Sequence, residues 1–113
     1  MTPEEFANRI GQDDGLDFED TQAVINEHFD YTPSAFSNGE IRNEAGQNEG
    51  SCKIFALGQL LQLNQEQTLA CFGRFYRDVL NTPDGSDHGN IRNFMVSGWD
   101  GIQFESQPLT PKG

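Results

Sequence analysis

Cys52 ends a polar, glycine-broken stretch, "NEAGQNEGSCKIF" at residues 43–55, that runs straight into apolar residues. A loop that delivers a cysteine to a helix start has a defined chemistry. Unpaired backbone N–H groups and the helix dipole lower the thiol pKa there and favour the nucleophilic thiolate. Gln47 precedes Cys52, and His88 and Asn90 follow, so the chain order Gln, Cys, His, Asn of a papain-like arrangement is present. Gln47 would donate to an oxyanion, and Cys52 with His88 would carry acyl transfer: amide hydrolysis, deamidation or transamidation. Two features oppose this reading. Gln47 lies one residue closer to the cysteine than that pattern requires, and His88 and Asn90 are too close in sequence to face each other on a helix. The competing reading has Ser51 capping a helix and Cys52 packing as a small hydrophobe.

Amide side chains supply a second set of candidates. Asn43, Asn48 and Asn90, with Glu44, His88 and Arg92, fall in two polar approaches to short amphipathic stretches. The apolar faces after those approaches, Ile54/Phe55 and Ile91/Phe94, must enter one core, which brings the two helix starts onto neighbouring rims. The expectation is one polar cluster that lines a ligand site or holds irregular backbone by hydrogen bonds. Arg77 and Arg92 near loop ends would clamp a ligand carboxylate or close ion pairs with the abundant acids, and the second use is favoured. "PDGSDHGN" gathers Asp84, Asp87 and His88 but lacks the order of a calcium loop, so a capped turn is expected there and no metal. No cofactor is implied.

The elements that position these groups follow from caps and periodicity. Thr2 and Glu5 form a capping box with Pro3 at the first helical position. Asp17 and Asp20 repeat the box, with Phe18, Ile25 and Phe29 on one stripe. Asn38-Gly39 between short flanks is a type I′ hairpin signal, placing a hairpin near 35–43. A third helix follows Gly50, and a fourth is capped by Asn64 and Gln67 with Leu69, Phe72, Tyr76 and Val79 buried. A fifth is capped by Asp87 and stopped by Gly98. "GIQFE" alternates as a strand near 101–105 and is expected to pair with residues near 36–43. The fold class is therefore α+β: about five helices and a small β element in one domain spanning 1–106, with residues 107–113 as a frayed tail.

The chain has 113 residues, enough for one core, and nine phenylalanines to fill it. Its net charge is −11, concentrated in residues 1–50, where twelve acids meet two arginines. The run Asp13, Asp14, Asp17, Glu19 and Asp20 is part of that half. Such a chain repels phosphate backbones and anionic membranes, which excludes nucleic acid and leaves a basic protein surface or a small polar ligand as partner. The two cysteines, Cys52 and Cys71, lack zinc-site spacing and fit free thiols in a reducing compartment. No stretch has the length and hydropathy of a membrane span.

Three strings together resemble the HopJ type III effector family of small bacterial proteins: "YTPSAFSNGEIRNEAGQNEGSCKIF", "TLACFGRFYRDVLNTPDGSDHGNIRNF" and "GWDGIQFE". The likeness covers roughly residues 20–105. It implies a protein of the bacterial cytoplasm that a type III system passes into a host cell. It implies no particular activity, ligand or catalytic residue. Residues 1–30 are acidic, hold no Ser and carry helix signals, unlike the Ser-rich, unstructured start usual for type III signals. The function expected is binding of a protein or small ligand, with Cys52-dependent acyl transfer as the alternative.

Overall fold

The computed structural model describes residues 1–13 and 15–112; Asp14 and Gly113 lie outside the described residues. The first two helices, α1 (Pro3–Arg9) and α2 (Phe18–His28), begin at the expected capping boxes. Glu5 N donates to Thr2 Oγ1 at 3.1 Å, and Asp17 N donates to Asp20 Oδ2 at 2.8 Å. The chain then turns extended. Strand β1 (Phe29–Tyr31) takes over Phe29, which the periodicity had placed on the helical stripe.

Strands β2 (Phe36–Asn38) and β3 (Ile41–Asn43) form the expected hairpin. Asn38 pairs with Ile41, so the two-residue turn is Gly39-Glu40 rather than Asn38-Gly39. Gly39 has φ +61° and Glu40 is not in the positive-φ region, the pattern of a type II′ turn instead of I′. Strand β4 (Ile102–Phe104) pairs antiparallel on the other side of β2, as the sequence predicts, with Phe36 opposite Phe104.

Helix α3 (Glu49–Leu61) starts three residues earlier than expected. Asn48, not Ser51, is its N-cap, and Ser51 and Cys52 lie inside the first turn and a half. The helix predicted after Asn64 is two helices, α4 (Gln65–Ala70) and α5 (Arg74–Asn81), broken at Gly73 with φ +58°. A Cβ on Gly73 would collide with Asp17 Oδ1 and Phe18 N. The close approach has a purpose: Asp17 Oδ1 accepts from Arg74 N at 2.9 Å, so one carboxylate caps the starts of both α2 and α5. Helix α6 (Gly89–Ser97) has His88 as its N-cap, one residue past the expected Asp87, and is stopped at Gly98 as expected.

The proposed tail is a further correction. Strand β5 (Leu109–Pro111) pairs antiparallel with β1, and Leu109 is fully buried. Thr32 N donates to Pro108 O and Lys112 N to His28 O, both near 2.9 Å, which closes the ladder at its ends. Burial of one leucine side chain contributes about 2 kcal/mol, which adds to the ladder hydrogen bonds in holding the short terminal strand. The class is α+β, with six α-helices among the described residues around two small antiparallel sheets.

Phe55 of α3 is the centre of the core. Its ring lies 6.0 Å from Phe36, 5.6 Å from Phe72, 4.9 Å from Phe94 and 6.4 Å from Trp99, centroid to centroid. One side chain thus ties α3 to β2, the α4–α5 junction and α6, and fixes where α3 and α6 begin relative to each other.

Candidate functional site

Two helices start side by side with the same irregular cap. Asn48 before α3 has φ 49° and ψ 49°; His88 before α6 has φ 52° and ψ 49°. Both are left-handed, a conformation that costs a non-glycine residue about 1 kcal/mol or more. Neither supplies a side-chain cap to the helix it opens. Their first-turn backbone N–H groups are therefore left for other acceptors.

Buried amides hold this geometry. Asn43, at the end of β3 and 1% exposed, accepts through Oδ1 from Asn48 Nδ2 at 2.7 Å and from Asn90 Nδ2 at 3.0 Å. Its own Nδ2 donates to Asn90 Oδ1 at 3.3 Å. Asn38 Nδ2 donates to Asn90 O and Oδ1 at 2.8 and 3.0 Å. One hairpin thus ties the first turns of α3 and α6 together. Such a network is worth most where water is excluded, and each lost partner there leaves a costly unpaired group.

Between the two helix starts lies an open cleft of about 440 Å³. Gly50 and Ser51 line it from α3, and Gly89, Asn90 and Ile91 from α6. Aromatic rings complete the lining: Phe18, Phe72 and Phe75, with the His88 ring 5.6 Å from Phe75. Phe18 and Phe75 pack edge to face at 5.0 Å, and the double cap at Asp17 holds the two helices that carry them. The cleft combines polar groups at the two helix starts with apolar aromatic surface, the usual make-up of a small-molecule site.

The expected polar cluster forms in part. Asn43, Asn48 and Asn90 are joined, with His88 beside them on the cleft. Glu44 is outside and exposed, paired with Arg42 at 3.2 Å. Arg92 turns away to Asp87 Oδ1 at 2.7 Å and to Thr82 O at 2.8 Å, so it braces the 82–87 loop. Arg77 pairs with Asp17 Oδ2 at 2.9 Å. Both arginines make the internal ion pairs that the excess of acids favours.

The expected catalytic set does not come together. Cys52 is 1% exposed and its thiol donates to Ser34 O at 3.8 Å. Burial pushes the Cys52 thiol up, away from the thiolate a nucleophile needs. The sulfur sits at the fourth helical position, beyond the free N–H groups, because α3 starts at Glu49. His88 faces Phe75 and the cleft, and among the described residues no hydrogen bond joins it to Cys52. Gln47 folds back so that its Oε1 accepts from Glu44 N at 3.0 Å. The aromatic lining was missed from sequence because Phe18 and Phe72 fit helical stripes and pass for core.

The family described as HopJ type III effector protein matches residues 3–109. The chain belongs to that family. A solved structure described as "Crystal structure of unknown function protein VPA0580" is similar, with 55% sequence identity and a TM-score of 0.93. The match covers 96% of this chain and 92% of that chain. None of the curated proteins compared with the chain matches it. Neither the family's description nor the neighbour's names a chemical activity. Among the described residues no helix is long and apolar enough to cross a membrane.

Proposed function

We propose that this HopJ family member works by binding rather than by chemistry, and that the cleft between the α3 and α6 starts takes a small ligand. In the setting that the family description suggests, the protein is made in the bacterial cytoplasm and passed by a type III system into a host cell. The observation that carries the binding reading is the cleft itself, lined by first-turn residues of α3 and α6 together with three phenylalanines. The two helix starts suit a carboxylate or another strong acceptor. The net charge of −11 opposes a multiply charged anion. An aryl carboxylate, with one charge and one flat apolar body, meets both conditions.

Saturation-transfer NMR with benzoate and larger aryl carboxylates tests this directly. The expected result is transfer to the aryl protons that disappears in Ser51→Trp, where the indole fills the cleft, provided that variant still melts cooperatively. Equal transfer to wild type and to the folded Ser51→Trp protein would count against the cleft as the site.

A further inference from the structure

A second surface lies away from the cleft, on the outer side of α5 and α6. Leu80, Met95 and Val96 are exposed by 52%, 37% and 86% of their surface, yet all three line one groove of about 260 Å³ together with Pro83. Scattered exposed apolar residues need no explanation, but several sharing one concavity mark a contact surface. Val96 is the clearest case. It stands out from a helix whose Ile91 and Phe94 are fully engaged in the core, so core packing gives no reason for an apolar residue there.

The charge around the groove selects the occupant. Asp84 sits in the chain between the groove residues Pro83 and Gly85 and has no ion pair among the described residues. Arg92, the cation lining the groove, is neutralised by Asp87 at 2.7 Å. The remaining local charge is negative, on a chain that carries −11 overall. A second copy would bring the same charge to the same face and is disfavoured by repulsion. We infer that the α5–α6 groove docks a basic amphipathic segment of a partner protein, its apolar side chains covering Leu80, Met95 and Val96 and its Lys or Arg residues meeting Asp84. Helix-in-groove recognition of this kind needs only a few apolar anchors at helical spacing, with charge setting orientation and on-rate.

The test uses a synthetic amphipathic Leu/Lys peptide of about 15 residues as probe, with its Leu/Glu counterpart as control, on the 15N-labelled full chain. Expected are amide shifts confined to the Leu80–Pro83 and Met95–Val96 regions, weakening with added salt. Val96→Asp, a change at an exposed position that leaves the fold intact, should weaken binding by about tenfold or more, the loss typical of one interface anchor. Asp84→Asn should weaken it by a smaller factor of about two to five, as expected for a rim charge. Shifts spread over the acidic N-terminal half, or binding unchanged by Val96→Asp, would overturn the assignment by showing charge attraction without a groove. Equal binding of the Leu/Glu peptide would overturn the charge argument. Sedimentation as a dimer that Val96→Asp dissolves would replace the partner with a second copy.

Discussion

Cys52 and Asp17 show how a side chain's role follows from its surroundings rather than its type. Cys52 has the sequence setting of a nucleophile, yet it is buried and its thiol is pushed up by that burial. Iodoacetamide should therefore label Cys52 slowly in native protein below pH 8 and rapidly only in denaturant; fast native labelling would reopen acyl transfer. Asp17 shows the opposite displacement. Its carboxylate accepts from Arg74 N, Phe18 N and the Arg77 guanidinium, which lower its pKa from 3.8 to about 2. A depressed folded-state value adds stability above the unfolded pKa and loses it as pH falls through the folded one. The Asp17 contribution is thus complete above roughly pH 5 and fades between there and about pH 2. Asp17→Asn should flatten that acid limb in urea titrations, and an unchanged limb would show that Asp17 is not the group responsible.

At the scale of elements, helix starts decide the architecture. The capping boxes at Thr2, Asp17 and Asn64 were legible because each lies within four residues and follows a local rule. The pairing of the strand near 102–104 with 36–38 was legible from alternation and a lack of other partners. The break at Gly73 was not, because it depends on Asp17, fifty-seven residues away from the Arg74 N–H that it caps. The start of α3 at Asn48 was hidden for the same reason, since the side chain of that residue is tied to Asn43 rather than to its own helix. Strand β5 was lost because "SQPLTPKG" has too few residues to show a period, while its partner Phe29–Tyr31 looked like the end of a helix. Gly73 gives the sharpest prediction at this scale. Gly73→Ala combines a left-handed φ with a collision against the shared cap, and should cost at least about 2 kcal/mol in urea denaturation. A loss below about 0.5 kcal/mol, the range of an indifferent surface change, would mean that the α4–α5 break does not depend on this contact.

Across the whole molecule, the core and the cleft share the same design. Phe55 fixes α3 against α6, and the hairpin amides fix their first turns, so the cleft is set by packing on one side and hydrogen bonds on the other. Every arginine is engaged in an ion pair among the described residues. That the two helix starts meet was legible from their paired apolar faces; the aromatic lining of the cleft was not, because an aromatic that lines a cleft and one that fills a core share the same periodicity. The central claim is that this cleft is the binding site. Its most direct test is a 1H–15N amide titration of the full chain with benzoate to millimolar concentration. The account predicts shifts concentrated on Gly50, Ser51, Gly89 and Asn90, with ring-current changes at Phe75 and His88. Shifts elsewhere with these amides silent, or a spectrum unchanged throughout, would contradict it.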